Sequence, residues 1–439
     1  MTSTRGTQDL GRRLGSSGLG STGLGSGGAS YRGLAPLSNR GGFGPGLRSR
    51  KTMGGRLRGL ARRAFARKSP LRHLDWILLF AVLALSLVGT LLVWSATQPA
   101  LVQSGSNPDT YLMKQLLNIA IGLALLVAVS FLDYRQLRLY APVLYGLSCL
   151  GLLVVLTPLG SIVNGAHSWI SLPGGFQIEP SEYAKLSIIL LTAMLIGELR
   201  HGDRRPRLRA IGIALALAAV PIVLVAAEPD LGVTILMVAL IVGLIALSGI
   251  RLYWLGGLLA AAAVVIAAIV NLHLLKSYQI GRLTSFLHPS ADPQGTGYSA
   301  AQAKIAIGSG GLWGQGLFHG QLVAGNFVPE QHTDFIFSVA GEELGFAGCL
   351  LIIVLLAIVL VRALRIAARA DDQFGTLVAA GVAIWFGVQS FVNIGMTMGI
   401  MPVTGLPLPF VSYGGSAMFA DMIAVGALQA VYRHRTVFS

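Results

Sequence analysis

At 439 residues, with 54% apolar side chains, 12% charged ones and a mean hydropathy of +0.69, the chain is too apolar for a water-soluble globule and reads as a polytopic membrane protein. Its net charge of +15 would suit a nucleic-acid binder, but residues 1–74 hold 15 of the 33 Lys and Arg against one acid, Asp9. That tail carries +14 and the remainder, with 18 bases and 17 acids, only +1, so no nucleic-acid partner is expected.

The tail, residues 1–74, is rich in Gly, Ser and Arg with little apolar periodicity, so it cannot bury enough surface to fold and is expected to be disordered. It lacks the long apolar core of a signal peptide. Beside a membrane span, such a basic arm most simply holds to anionic membrane lipid on the cytoplasmic face. From Trp76 onward, apolar runs of about 20 residues, enough to cross roughly 30 Å of hydrocarbon, recur between short polar gaps. They predict about ten transmembrane helices, near 76–96, 116–132, 140–157, 181–199, 210–227, 231–249, 252–272, 335–361, 375–400 and 411–432. The expected fold is all-α, a transmembrane domain over 75–439 with a long extracytoplasmic loop between spans seven and eight. Pro402, Pro407 and Pro409 are expected to break a helix or shape a re-entrant turn before the last span.

With ten spans both termini share a side. If that side is cytoplasmic, the inner loops carry thirteen Arg, at 135, 138, 200, 204, 205, 207, 209, 251, 362, 365, 369, 433 and 435, and the outer loops four cations, Lys114, Lys276, Arg282 and Lys304. The asymmetry follows the positive-inside rule and puts 158–180 and 273–334 outside.

Several polar groups interrupt the apolar pattern. At Glu179-Pro-Ser-Glu-Tyr-Ala-Lys185, Glu182 and Lys185 are three residues apart, which on a helix gives them one face, where they can neutralise each other while lining a cavity. A first-turn acid beside the helix dipole with a snorkelling Lys would explain the same residues without function. Glu228-Pro-Asp230 adds two carboxylates in what is also ordinary turn chemistry. In the outer loop, Tyr278–Leu287 and Ala300–Ile307 are apolar enough to lie as short amphipathic segments, with Trp313 and Phe318 as headgroup anchors. Arg282 and Lys304 give that loop two cations suited to a pyrophosphate. The glycine-rich run 308–316 lacks the strand before it and the Lys-Ser/Thr after it that a nucleotide loop needs, and reads as flexible extracellular backbone. Cys149 and Cys349 fall within predicted spans and imply no disulfide framework. Pro329 to Ser338 sets a carboxylate, Asp334, between a polar loop and a span, where ionisable groups tend to mark reaction centres. Glu342 and Glu343 lie about 12–14 Å further along that helix, too far to share a site with Asp334, and are expected to pack against other spans.

These motifs together resemble the SEDS family of RodA, FtsW and SpoVE. The matching segments are Asn164-Gly-Ala-His-Ser-Trp169, Glu179-Pro-Ser-Glu-Tyr-Ala-Lys185, Pro229-Asp-Leu-Gly232, Pro329-Glu-Gln-His-Thr-Asp-Phe-Ile-Phe337, Gly341-Glu-Glu-Leu-Gly345 and Gly405-Leu-Pro-Leu-Pro-Phe-Val-Ser-Tyr-Gly-Gly-Ser416. They run through residues 75–432 in the family's order, and Asn326 to Asp334 is nearest to the RodA type. Three positions depart from the family pattern: Ser168 where a basic residue is frequent, Glu228 where Gln is common, and Ala417 where Ser is.

The resemblance implies a peptidoglycan glycosyltransferase of the bacterial cytoplasmic membrane. Such an enzyme polymerises lipid II into β-1,4-linked strands on the outer face for wall synthesis and cell shape, with a class B penicillin-binding protein as partner. It carries the essential acid onto Asp334 and the motif roles onto Glu182, Lys185 and Asp230, with His332 and Thr333 beside the acid in its motif. An α-linked pyrophosphate donor and a β-linked product call for one inverting displacement, so Asp334 as general base suffices. Lys185, Arg282 and Lys304 are candidates for the leaving group. A divalent cation (Mg or Mn), held by the pyrophosphate and one or two carboxylates, is the candidate cofactor; the sequence does not identify its ligands. The same spans and charges also suit a lipid II flippase or a noncatalytic scaffold of a wall-synthesis complex.

Overall fold

A computed structural model describes residues 73–158, 160–163, 166–171, 177–197, 208–271, 280–282, 284, 286 and 296–438. Residues 1–72 of the tail expected to be disordered, the inner-loop arginines at 200, 204, 205 and 207, and Lys276 all lie outside the described residues.

The chain is mostly helical. Helices α1 (Trp76–Gln103), α2 (Thr110–Phe131) and α3 (Tyr134–Val155) lead into a small sheet of β1 (Gly160–Val163), β2 (Ala166–Ser171) and β3 (Gln177–Ile178). Then come α4 (Pro180–Gly197), α5 (Leu208–Ala227), α6 (Leu231–Leu247), α7 (Leu252–Asn271), α8 (Thr296–Ser309), the single-turn α9 (Gln321–Ala324), α10 (Ile336–Ala368), α11 (Gln373–Thr397) and α12 (Gly415–Phe438). Each apolar run read from the sequence is a helix, but seven of these, α1, α2, α3, α5, α10, α11 and α12, have the length and apolarity to cross a membrane. The expected count of ten would further need α4, α6 and α7, which do not meet that measure among the described residues, and it is not established.

Aspartates start many of these helices. Asp75 accepts a hydrogen bond from the Leu78 amide, Asp230 from Val233 and Asp372 from Gly375 at 3.0–3.1 Å, and Asp133 forms a capping box with Gln136. Helices α11 and α12 form the centre: 72% of the apolar window of each is buried, against 22% for α2 and α3. Helix α11 packs against α10, α4 and α6, and α12 packs chiefly on α2. Large apolar side chains such as Phe80, Met113, Leu139 and Val223 are exposed on the outside, the surface a bilayer would cover.

The sheet, which periodicity did not announce, fills the segment expected outside. Its order is β1-β2-β3, antiparallel throughout, with Gly160 opposite Ile170 and Ile170 opposite Ile178, and a register shift between Ser161 and Ile162. It hands the chain to the start of α4. There Ser416 Oγ, at the head of α12, donates to Gln177 O at 2.9 Å and accepts from the Glu179 amide at 3.0 Å.

The glycine-rich run corrects the reading of flexible backbone. Helix α10 is broken at Gly345 (φ 67°, ψ −163°), which removes the bonds that Phe346 and Ala347 would have given to Glu342 and Glu343. All four orphaned groups find partners in the run. The Phe346 and Ala347 amides donate to Gly311 O and Leu312 O, and Glu342 O and Glu343 O accept from Gln315 and Gly316, at 2.9–3.1 Å. This is the exchange expected where irregular backbone sits at membrane depth and water cannot pair it. The two carboxylates pin the same loop. Glu342 accepts from the Leu322 and Val323 amides at 2.7 and 3.1 Å, and Glu343 from Ser95 Oγ and the Phe318 amide at 2.5 and 3.1 Å. Phe318, expected as a headgroup anchor, instead packs edge-on against Trp94, whereas Trp313 is 82% exposed.

A Cβ on Gly345 would come within 2.3 Å of the Gly314 amide nitrogen, on a φ that L side chains avoid. Gly345→Ala is expected to lower folding stability by roughly 2 kcal/mol or more. Gly308→Ala, where a Cβ meets nothing within 4 Å, should leave it unchanged. The thermal midpoints of the two variants in detergent, measured side by side, check this.

Candidate active site

The site grows from one face of α11. Trp385, Gln389 and Asn393 follow each other at i, i+4 and i+8, so they stack along that face. Gln389 Oε1 accepts from Trp385 Nε1 at 2.7 Å and from Lys185 Nζ at 3.1 Å, while its Nε2 donates to Pro407 O at 2.8 Å. One turn on, Asn393 Nδ2 donates to Leu406 O at 2.7 Å and to the backbone oxygen of Asp334 at 2.8 Å. A buried amide can make such bonds in two directions, so one helix face ties α4, the loop 400–414 and the segment before α10 together.

Lys185 is 0% exposed and Glu182 1%. Their ion pair measures 2.7 Å, and the ammonium also lies 4.7 Å from the centre of the Trp385 ring. The pairing expected from their three-residue spacing is thus present. It faces the protein interior.

The proline-rich segment breaks the helix, as its composition suggested, and residues 400–414 return as irregular backbone beside residues 332–334. Three successive carbonyls there are each engaged: His332 O by the Tyr413 amide at 3.0 Å, Thr333 O by Ser412 Oγ at 2.6 Å, and Asp334 O by Asn393. With its main chain clamped, Asp334 is half-buried, and a Cβ on Gly405 would sit 3.6 Å from its Oδ2. Thr333 turns back, its hydroxyl donating to Glu330 at 3.2 Å. The His332 ring lies 5.2 Å from Tyr111 and 5.8 Å from Tyr413, edge-on or tilted. Burial pushes its imidazole below the usual range, so it is neutral at pH 7.

Acids crowd around Asp334 and Asp230. Burial, then the charge of Glu330, raises Asp334 to about 7; Arg282 opposes the rise and Asp230 adds to it. Asp230 is raised by burial and held back by its cap on the Val233 amide and by Arg282. Glu179, which accepts from Ser181 Oγ at 2.8 Å, is pushed well above the usual carboxylate range by burial and by Glu182 and Asp230. Glu228, 0% exposed with neither carboxyl oxygen hydrogen-bonded, is lifted to about 8 by burial and Asp230.

Arg282 donates to Thr404 O at 3.2 Å, against which Gly232 of α6 packs. Together with Lys304, Phe286, Met401 and Val403 it lines a cleft that flanks the loop 400–414. Glu182, Lys185, Asp230, Arg282 and Asp334 therefore gather from four separated segments, with His332 and Thr333 at the acid's shoulder and Lys304 on the cleft's outer wall. The sequence reading missed Gln389, Asn393 and Asp421. Asp421, 1% exposed within α12, accepts from the Phe410 amide at 3.4 Å. Polar residues inside otherwise apolar helices were the available signal for all three. Ser168, at the first departure from the family pattern, is buried with its hydroxyl unpartnered; Asn164 and Gly165 of the same motif lie outside the described residues. Among the described residues, no three or more His, Cys, Asp or Glu side chains are grouped so as to hold a metal ion by themselves.

A family described as cell cycle proteins, grouping FtsW, RodA and SpoVE, matches residues 75–437. The chain is 40% identical over 375 residues to the peptidoglycan glycosyltransferase MrdB of Escherichia coli K12, covering 84% of this chain and 95% of that protein. It is 35% identical over 365 residues to the stage V sporulation protein E of Bacillus subtilis, covering 82% and 97%. Among solved structures, it is similar to the rod shape determining protein RodA of Thermus thermophilus, with 30% identity, a TM-score of 0.59, and 82% of this chain and 97% of that one covered. A chain from a peptidoglycan synthase complex that coordinates polymerization and crosslinking gives 32% identity and a TM-score of 0.67, with 82% and 98% covered. With its motifs and its helical order shared over that length, the chain is a multi-pass membrane protein that belongs to the FtsW, RodA and SpoVE family, the SEDS proteins.

Proposed function

We propose that this protein is a peptidoglycan glycosyltransferase that polymerises lipid II into glycan strands, with Asp334 as the general base of an inverting displacement. The observation that carries the assignment of the base is Asp334 itself, half-buried on a main chain clamped at three successive carbonyls, with its carboxyl raised to about 7. A base is most effective when its pKa lies near the working pH. In the reaction, Asp334 takes the proton of the acceptor sugar 4-hydroxyl as that oxygen bonds to the anomeric carbon, and the bond to pyrophosphate breaks with its electron pair leaving on the undecaprenyl pyrophosphate. One displacement inverts the α-linked donor to a β-linked product.

Arg282 and Lys304, lining one cleft, supply positive charge for the leaving group. Lys185 is already paired with Glu182 and Gln389 and fully buried, so its part is to hold the acid-bearing segments in place. A divalent cation, Mg or Mn, would fit as an ion shared between the substrate pyrophosphate and one or two carboxylates such as Asp230 and Asp334; Mg commonly binds in that way rather than in all-protein cages. When bound, it would neutralise charge growing on the leaving group.

Placement in the inner membrane with both termini cytoplasmic is supported by the arginine asymmetry and by α10 itself. That helix starts beside Asp334 and ends at a basic cluster, Arg362, Arg365 and Arg369, so the cleft and the arginine-rich side face opposite surfaces. A class B penicillin-binding protein is the proposed partner, supported by the likeness to a chain from a peptidoglycan synthase complex.

Purified full-length protein with lipid II and this partner is expected to yield glycan polymer, and Asp334→Asn to slow it by at least about a hundredfold. Polymer formed at an undiminished rate by a folded Asp334→Asn variant would remove Asp334 as base, and lipid scrambling in liposomes without any polymer would point to transport instead. Because the raised carboxyl must be ionised to accept a proton, the rate should climb with pH up to about 7 and level off above it. An initial-rate profile in mixed buffers reads this directly.

Glu182→Gln leaves the Lys185 charge buried without its counter-ion, and is expected to cost about 3–5 kcal/mol of stability. The double variant Glu182→Leu/Lys185→Met should regain most of it, since an apolar pair of similar volume replaces a buried ion pair at little cost. Denaturation midpoints of the three proteins check this; equal loss in the single and double variants would contradict it.

A further inference from the structure

At the end of α10 remote from Asp334, Arg362, Arg365 and Arg369 recur at i, i+3 and i+7 and so share one face. With Ile366, and with Val431 and Tyr432 of α12, they line a shallow surface cleft. Arg362 is neutralised within the fold: it pairs with the buried Asp75 at 2.5 Å, and its Nε donates to the same carboxylate at 2.7 Å. Arg365 and Arg369 are exposed, and neither guanidinium has a hydrogen bond or ion pair with a described residue. The nearby acids do not answer them. Asp372 is taken by Tyr134 and by the Gly375 amide, and Asp371 is exposed at the turn without an ion pair. Like charges at i and i+4 repel, which disfavours this arrangement unless an anion lies between them. On the membrane side of the cluster, Leu350, Val354, Val361 and Leu364 are exposed along α10.

We propose that this cleft is a binding site for an anionic glycerophospholipid. Its phosphate is held by the guanidinium forks of Arg365 and Arg369, and its acyl chains lie along the exposed flank of α10. The apolar flank leading away from the charged cleft is what favours a membrane lipid over a free phosphate. The site does not depend on the glycosyltransferase reading.

Native mass spectrometry of the full-length protein in neutral detergent, titrated with phosphatidylglycerol, tests it. Arg365→Gln/Arg369→Gln should weaken binding of the first lipid by about tenfold or more. Arg48→Gln/Arg50→Gln, an equal loss of charge in the tail, should change it by less than about twofold. Arg365→Lys/Arg369→Lys keeps the charge without the fork and should fall between the two; it also carries the test should the Gln pair fold poorly. Equal loss from the tail pair and the α10 pair would reduce the effect to net charge and overturn the site. Displacement of the lipid by inorganic phosphate at matching concentrations would overturn its assignment to a lipid.

Discussion

Two side-chain amides on α11 hold together what the membrane would otherwise force apart. The segment before α10 and the loop 400–414 are irregular backbone close to the apolar interior, where an unpaired carbonyl has no water to turn to. Gln389 and Asn393 stand one turn apart and supply the missing donors, to Pro407, Leu406 and Asp334, while Gln389 also receives Lys185. An apolar residue at 393 would leave carbonyls unsatisfied on two segments at once, and one at 389 would strip Pro407 O of its donor and Lys185 and Trp385 of an acceptor, in a helix with 72% of its apolar window buried. The acid is thereby oriented by its own main chain, and its carboxylate is left free of the hydrogen bonds that would depress its basicity.

The same accounting explains the break in α10. A helix may stop pairing with itself inside a bilayer only if another segment takes up the freed groups, and residues 311–316 do so bond for bond. That exchange requires backbone to lie against backbone, hence glycine: a Cβ on Gly314 would approach Glu343 O to 2.1 Å. Glu342 and Glu343 then fasten the inserted loop through main-chain amides. The loop is therefore anchored to the helix that begins just after Asp334.

Helix positions were legible because apolar run length is a strong signal, and the prolines at 402, 407 and 409 correctly marked the end of helical structure before α12. The candidate residues were legible because an acid within or beside an apolar run is costly; Asp334, Glu182, Lys185 and Asp230 do converge. What stayed hidden is of two kinds. Pairing between remote segments leaves no periodic trace, so neither the small sheet at 160–178 nor the insertion of residues 311–316 into α10 could be read, and a glycine-rich run that is pinned in place looks the same in sequence as one that is loose. Neutral polar residues such as Gln389 and Asn393 carry no charge to draw notice, although they determine where the charged ones sit.

The cleft poses an electrostatic problem: Glu179, Glu182, Glu228, Asp230, Asp334 and Asp421 stand against Lys185 and Arg282, yet the proposed substrate carries a pyrophosphate. Burial eases it. Glu228, lifted to about 8, is largely protonated at neutral pH, and Glu179 is pushed well above the usual carboxylate range, so both add less repulsion than ordinary carboxylates. Glu182 is matched by Lys185 at 2.7 Å, and the charge on Asp230 is held by a helix amide and by Arg282. The carboxylate that remains poised is Asp334, which its burial, and then the charge of Glu330, makes a stronger base than an isolated aspartate. An approaching pyrophosphate would raise it further, whereas Arg282, Lys304 or a bound cation would offset that rise. Substrate binding and base strength are thus linked through the same few charges.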